Sequence, residues 1–223
     1  MELFIKILVI LHVSAGCGAL ISGAIAMILK GNTPKHRIAG KVYFWNMTFI
    51  FVSGLYLAVH RNSLFFVFIS FFVYHNLISA YRSLKLKQLH KGQGVETLDW
   101  AIEIMAGTAN LCFVGFAGYW YSKGMGSTAL IPLVFGTLGC RTVFQNVSLF
   151  IKKTLDPTYW LQRHISGMVG SYIGAITAFM VNQGHNLKMI PEVVLWLAPT
   201  AILTPLIVLE IRKLKKSVLA IGK

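Results

Sequence analysis

The fold is decided by residues 3–29, LFIKILVILHVSAGCGALISGAIAMIL, an apolar run whose only charged residue is Lys6. A hydrocarbon core about 30 Å thick needs roughly 20 apolar residues at the helical rise. The run is long enough to cross a membrane as a helix, and it lacks the alternation expected of a transmembrane strand. Because it continues past Cys17 and does not begin with a strongly basic segment, we expect it to stay in place rather than be cleaved as a secretory signal.

Six further apolar runs follow, separated by short segments that carry turn residues, such as Gly31-Asn32-Thr33-Pro34. The chain is 56% hydrophobic and 13% charged, whereas roughly a quarter of the residues of a soluble domain are charged. The sequence therefore predicts an all-α polytopic transmembrane helical bundle, with residues 1–223 forming a single transmembrane domain. The predicted spans are 3–29, 42–59, 64–81, 100–121, 129–151, 165–181 and 193–211.

The basic residues are distributed unevenly between the two sides of the predicted membrane. Sixteen follow spans one, three, five and seven: Lys30, Lys35, Arg37, Lys41, Arg82, Lys85, Lys87, Lys91, Lys152, Lys153, Arg163, Arg212, Lys213, Lys215, Lys216 and Lys223. Only four lie on the other side: Lys6, Arg61, Lys123 and Lys188. The positive-inside rule then predicts an outside N-terminus and a cytoplasmic C-terminus in a cell membrane. We expect the basic cytoplasmic face to attract anionic lipid headgroups, and the net charge of +14 gives no reason to infer nucleic-acid binding.

This topology depends on the second and third spans being separate, although little more than His60-Arg61-Asn62 lies between them. The sequence therefore requires a very tight hairpin at this point.

Helical spacing predicts which side of each span faces protein. Small residues let transmembrane backbones approach closely, and a charge near the bilayer centre costs at least about 2.5 kcal/mol. Arg141 and Glu103 should therefore face the bundle or a water-filled cavity, and they could pair with each other. The predicted inward faces are Ala15, Ala19, Gly23 and Ala26; His75, Ser79 and Arg82; Asp99, Glu103, Gly107 and Asn110; Thr137, Arg141, Gln145 and Ser148; and Gly167, Ser171, Gly174 and Ala178.

The histidines suggest a redox-associated function. His12 and His75 both fall near mid-membrane and could offer two imidazoles to one haem iron. His36 and His164 fall together at the cytoplasmic level with Arg37, so this end could hold an anionic headgroup, a haem propionate or a quinone. Binding of haem or quinone is the leading specific hypothesis at this stage.

Two alternatives remain open. In one, the protein is a carrier or a lipid- or anion-binding sensor in which Arg141 meets an anionic ligand and the last span, broken by Pro199 and Pro205, moves. In the other, several histidines and Glu103 hold a metal that activates water for hydrolysis. The sequence has no HExxH, GxSxG, Walker or Rossmann motif. Whether the protein is an enzyme is left open, and no metal ligands are assigned.

Several segments in a fixed order resemble a known pattern: residues 36–43, HRIAGKVY; Tyr81-Arg82-Ser83; residues 164–173, HISGMVGSYI; Thr177-Ala178-Phe179 with Asn182; and residues 196–200, WLAPT. Over nearly its whole length the chain resembles the bacterial membrane proteins grouped as domain of unknown function 2306. The resemblance implies a compact multi-pass helical bundle and no established reaction. It also implies that His36, Arg37, Arg82, His164 and Asn182 belong to the family pattern.

We therefore predict a polar site inside the bundle or at its cytoplasmic end. Its candidate residues are His36, Arg37, His75, Arg82, Glu103, Arg141, His164 and Asn182.

Overall fold

The structure is a computed structural model, and the residues that it describes include seven long helices. The described residues are 1–152, 156–184 and 190–221, excluding the side chains of Leu206 and of residues 216–221. The helices are α1 (Glu2–Ile28), α2 (Thr33–His60), α3 (Leu64–Ser83), α4 (Thr97–Ser122), α5 (Leu130–Lys152), α6 (Tyr159–Gly184) and α7 (Glu192–Ile221). Each is long and apolar enough to cross a membrane. The predicted all-α polytopic bundle of seven spans is confirmed, and this is the architecture of a multi-pass membrane protein.

The tight hairpin between the second and third spans is confirmed as well. Helix α2 ends at His60 and α3 begins at Leu64. Asn62 adopts a left-handed conformation with φ of 51°, which a short polar side chain tolerates better than most residues do. The chain can therefore reverse within three residues, and both spans keep their full length.

Helices α3 and α6 pack against each other, and the other helices are arranged around them. Helix α3 also contacts α2 and α4, while α6 also contacts α1 and α7; α1 packs mainly on α2, and α5 mainly on α4. Small residues permit the close approaches, as predicted: Ala19 and Gly23 in α1 are buried, and so are Gly167 and Ser171 in α6. A Cβ built at Gly23 would lie 2.6 Å from the Tyr172 ring.

One end of the bundle carries most of the basic residues, and we call it the basic end. It comprises the α1–α2, α3–α4 and α5–α6 connections and the end of α7. Two contacts join these segments: Lys30 Nζ lies 3.1 Å from Glu210 Oε2, and Lys87 Nζ lies 4.7 Å from the centre of the Trp160 ring. The clustering follows from the topology, whereas the side of the membrane that it faces stays a prediction. Lys153, Lys188 and Lys223 lie outside the described residues, as does the Lys216 side chain.

The α3–α6 contact gives a first test of this packing. A Cβ built at Gly167 would lie 2.5 Å from the carbonyl oxygen of Asn76 and 2.6 Å from Ala80 Cβ. Neither group can move without shifting α3, and overpacking of this kind costs about 1–3 kcal/mol. We expect Gly167→Ala to lower the midpoint of thermal unfolding in detergent.

Gly118→Ala is the matched control for this prediction, because a Cβ at Gly118 meets nothing within 4 Å. We expect the control to leave the midpoint unchanged or raise it, since alanine is the better helix former. Equal midpoints for the two variants would show that α3 and α6 do not meet at Gly167.

Candidate functional site

An ion cluster joins the end of α3 to the start of α4. Arg82 Nε donates to Asp99 Oδ1 at 2.7 Å, and Nη2 donates to Asp99 Oδ2 at 2.9 Å and to Glu96 Oε2 at 2.7 Å. The Asp99 carboxylate also accepts the Glu96 backbone N–H at 3.1 Å, which caps α4. Arg82 and Asp99 are 5% and 3% exposed. Two nitrogens of the Arg82 guanidinium donate to the two oxygens of Asp99, and a contact through two atoms on each side restricts orientation as well as distance. The cluster therefore fixes the start of α4 relative to the end of α3.

A second polar network begins at His75, about two helical turns before Arg82. His75 Nε2 lies 3.0 Å from Glu103 Oε2, and Asn146 Nδ2 donates to Glu103 Oε1 at 2.7 Å. Tyr159 Oη in turn donates to Asn146 Oδ1 at 3.3 Å. The network therefore links α3, α4, α5 and α6 through side chains that are mostly buried.

The two ring nitrogens of His75 differ in their contacts, since only Nε2 has a partner among the described residues. Nδ1 is buried and has no partner among the described residues. A proton on Nδ1 would be an unsatisfied buried donor, which costs about 1–3 kcal/mol. The favoured tautomer therefore has its proton on Nε2, which donates to Glu103 Oε2.

The structure corrects the sequence prediction for Arg141. Glu103 is occupied by His75 and Asn146, so the anticipated ion pair between Arg141 and Glu103 does not form. The polar face of α5 that contains Arg141 and Gln145 is turned away from α4, and both of these side chains are exposed. The buried face of α5 instead carries apolar and small residues with Asn146 among them, because close packing against α4 requires glycine at two of those positions. A Cβ at Gly139 would overlap the Asn110 side chain, and one at Gly136 would lie 2.8 Å from Val114 Cγ2.

Arg141 lines a cleft of about 500 Å³ formed by α3, α5, α6 and α7. This volume lies within the range of sites for small organic ligands. Its polar lining includes Asn76, Arg141, Gln145, Gln162 and Arg163. Its apolar lining includes Val73, Phe135, Ile173, Trp196 and Ile207. We refer to this space as the cleft.

Two donors that line the cleft have no partner. Arg163 Nη2 and Trp196 Nε1 are buried and make no hydrogen bond within the described part of the chain. Arg163 is 9% exposed and Trp196 is 5% exposed. No aspartate or glutamate is among the described residues that line the cleft, and neither Arg141 nor Arg163 forms an ion pair with any of them. The cleft therefore presents two guanidinium groups without a carboxylate.

Gln162 is held beside the cleft by the loop that precedes α6. Its Nε2 donates to Asp156 Oδ2 at 2.7 Å, and Asp156 Oδ1 accepts from the backbone N–H of Thr158 at 2.8 Å. Partial burial raises the pKa of the Asp156 carboxyl, but the hydrogen bonds from Thr158 and Gln162 outweigh this and hold the pKa below its ordinary value. Asp156 therefore stays ionised and fixes Gln162 in the first turn of α6, one residue before Arg163.

A smaller chamber of about 20 Å³ lies between the cleft and the two polar networks. Its lining includes Arg82, Asp99, Glu103 and Asn146, and it shares Tyr159 and Arg163 with the cleft. A space of this volume is enough for one water molecule. Arg163 thus stands between the cleft on one side and Glu103 on the other.

His36 and His164 lie together at the basic end, as predicted. Their ring centres are 6.2 Å apart. His36 Nδ1 is bonded to the Ala26 carbonyl at 2.8 Å, and His164 Nδ1 to the Ala80 carbonyl at 3.3 Å. Arg37 beside them is exposed. These contacts tie α2 to α1 and α6 to α3, and neither histidine lines the cleft.

The remaining candidate residues are not brought together. His12 Nδ1 lies 2.8 Å from Ser53 Oγ between α1 and α2, whereas the His75 ring faces Glu103 on α4. The prediction that these two histidines share one iron is therefore wrong in its geometry, because their rings face different helix pairs. Asn182 is exposed near the far end of α6 and, among the described residues, donates to the Ala178 carbonyl one turn earlier, at 3.3 Å.

Four residues of the site were not among the sequence candidates: Asn146, Tyr159, Arg163 and Trp196. From the sequence, Arg163 was counted among the basic residues before the sixth predicted span, 165–181, and close to His36 and His164. The structure places it inside the first two turns of α6, which begins at Tyr159. For Asn146, Tyr159 and Trp196 the sequence offers no signal, since their roles depend on which helix faces meet.

Comparison of the chain with protein-family models, with curated proteins and with solved structures gave no match. The resemblance to domain of unknown function 2306 therefore stays a prediction. Among the described residues, no group of three His, Cys, Asp or Glu side chains is placed to hold a metal ion, so the hydrolase alternative gains no support from this part of the chain.

Proposed function

We propose that this multi-pass membrane protein binds, in the cleft, an amphiphile with an anionic head and an apolar tail. The observation that carries the proposal is the pair of guanidiniums, Arg141 and Arg163, that line the cleft without a carboxylate partner. Cations inside a membrane protein normally pair or face water, because an unpaired charge is costly in a low dielectric. A ligand that brings a carboxylate, sulfonate or phosphate would supply the counter-charge and accept the free Arg163 N–H.

The remainder of the cleft suits an apolar tail. Val73, Ile173 and Phe135 line it, together with Ile207 of α7. Burial of such a tail contributes about 0.8 kcal/mol for each methylene group. The combination of guanidiniums and aliphatic walls therefore favours an amphiphile over a small inorganic anion.

The route into the cleft is through the side of the bundle. Arg141 and Gln145 are exposed on α5 although they lie within a membrane-spanning helix. A ligand dissolved in the bilayer could enter between α5 and α7 without leaving the lipid phase. Helix α7 contains two prolines, Pro199 and Pro205. Their sequence neighbours Thr200 and Thr204 line the cleft. Each proline removes one helical hydrogen bond, so the wall of the cleft is weakest there, and this favours a carrier or a sensor.

The redox hypothesis from the sequence is less well supported by this geometry. A quinone head is neutral and would leave both guanidiniums without a counter-charge. Neither His12 nor His75, the predicted haem ligands, is among the residues that line the cleft. An anionic amphiphile accounts for the arginines directly, and we therefore place it first.

The experiment compares two ligands that share a tail and differ in the head. The protein is placed in phosphatidylcholine nanodiscs and titrated with hexadecanesulfonate and, separately, with monopalmitoylglycerol. We expect the sulfonate to bind at least about tenfold more tightly, which corresponds to about 1.4 kcal/mol, the lower end for a hydrogen bond to a charged group.

Two further probes separate the alternatives. Equal or tighter binding of monopalmitoylglycerol, or preferential binding of a neutral alkyl quinone, would overturn the proposal. Binding of inorganic sulfate as tight as that of hexadecanesulfonate would show that the tail contributes nothing, and would overturn the amphiphile assignment.

A further inference from the structure

We infer that anion binding in the cleft is coupled to proton uptake by the buried His75–Glu103 pair. This inference rests on the proposed function, because it needs an anion in the cleft. It adds a second binding site, for a proton, and a thermodynamic link between the two sites. It therefore concerns what drives or regulates ligand binding rather than which ligand is bound.

The pair is placed to take up a proton. With His75 neutral and Glu103 ionised, the pair would carry one negative charge, although both side chains are only 2–3% exposed. Glu103 accepts one hydrogen bond at each oxygen, from His75 and from Asn146. A carboxylate offers about four lone-pair sites, so a proton from water can bind without displacing either partner. His75 Nδ1, which is also unpartnered, is the second position within the pair that can hold it.

The charge of the pair can also affect a ligand in the cleft. Glu103 and Arg163 line the same chamber of about 20 Å³, and Arg163 also lines the cleft. While Glu103 is ionised, its negative charge partly cancels the electrostatic potential that Arg163 creates in the cleft. When the pair takes up a proton this cancellation is removed, and Arg163 attracts an anion in the cleft more strongly. By linkage, an anion bound at Arg163 must favour proton uptake by the same factor.

The other charged groups around Glu103 do not substitute for this role. On α3, Arg82 is held by Asp99 and Glu96, and on α4, Asp99 has both oxygens occupied by Arg82. Helix α5 contributes only the neutral Asn146 to this contact, and α6 contributes Tyr159 and Arg163. Among these groups, the His75–Glu103 pair combines an unbalanced negative charge with unoccupied proton-binding positions.

The test measures hexadecanesulfonate binding in phosphatidylcholine nanodiscs as a function of pH. A sulfonate head does not titrate in this range, so any proton change belongs to the protein. We expect affinity to rise as the solution is taken from about pH 8 to about pH 5, by up to about tenfold per pH unit where one proton is linked. Saturating the wild-type protein with the probe in weak buffer should also draw protons from solution, as read with an indicator dye.

Glu103→Gln separates this mechanism from other titrations. Glutamine has nearly the shape of glutamate but no negative charge. Its oxygen can accept from Asn146, and its NH2 can donate to Nε2 of the other His75 tautomer. The variant should therefore bind at about pH 8 as tightly as the wild type does at about pH 5. Glu96→Gln is the matched control, because Glu96 contacts Arg82 but its side chain is 62% exposed. We expect the control to keep the pH dependence of the wild type.

The outcomes distinguish this inference from the proposed function. Absence of sulfonate binding at every pH would contradict the proposed function and this inference with it. Tight binding that is independent of pH, or a pH dependence that Glu103→Gln leaves intact, would overturn the coupling alone. Should Glu103→Gln fail to fold, the dye measurement on the wild type decides, and absence of proton uptake would overturn the inference.

Discussion

Replacing Arg82 with methionine is expected to cost about 3–5 kcal/mol of unfolding free energy, the range observed when one partner of a buried ion pair is removed. Methionine keeps much of the side-chain volume but offers no donor to Asp99. Asp99 is 3% exposed, so its carboxylate would stay buried without the two hydrogen bonds that compensate it. We expect the variant to lose thermal stability strongly or to fail to accumulate in membranes.

Lys85→Met is the control for this change, because Lys85 lies three residues further on and is exposed. The double variant Arg82→Met with Asp99→Leu should recover part of the loss, because it removes the buried charge together with its partner. Arg82→Met and Lys85→Met with the same unfolding midpoint would show that the Arg82–Asp99 contact does not hold α3 to α4.

The sequence was informative wherever structure depends on local pattern. Apolar length alone predicted all seven spans, because the lipid phase leaves a backbone segment few alternatives to a helix. The faces containing Arg82 and Asp99 were also predicted correctly as buried, since charges at helical spacing in a membrane span must turn toward protein. These inferences use only neighbours along the chain.

The pairing of those faces could not be predicted in the same way. Pairing of Arg141 with Glu103 was feasible from the sequence, yet Asn146, just over one turn further along α5, takes that position. The choice depends on the rotation of α5 about its axis, and close packing at Gly136 and Gly139 sets that rotation. Arg141 is left facing the cleft because the tight α4–α5 contact admits only small side chains.

The rotation of α5 explains why Arg141 lines the cleft. If α5 turned its polar face toward α4, Arg141 could pair with an acid and the cleft would lose one of its charges. The observed rotation instead turns Arg141 away from the acids of α4 and into the cleft between α5, α6 and α7. The position of Arg141 thus follows from the packing of glycines on the opposite side of α5.

Removing both arginines from the cleft should have the largest effect on binding. A hydrogen bond to a charged group contributes about 1.5–3 kcal/mol, so Arg141→Gln and Arg163→Gln should each weaken hexadecanesulfonate binding by roughly 10- to 100-fold. If the two contributions add, the double variant should lose roughly 100- to 10,000-fold. Binding of monopalmitoylglycerol should change far less, because its neutral head gains little from a guanidinium.

The control for this experiment is Arg61→Gln, which removes an exposed arginine at the opposite end of the bundle. It changes net charge by the same amount as each single variant, so it separates contact with the ligand from a general electrostatic effect. We expect it to bind the sulfonate as the wild type does. If the double variant folds, as judged by its thermal midpoint, and still binds the sulfonate with wild-type affinity, the anion is not held by Arg141 and Arg163. The cleft would then have lost the charges on which its assignment as an anion site depends.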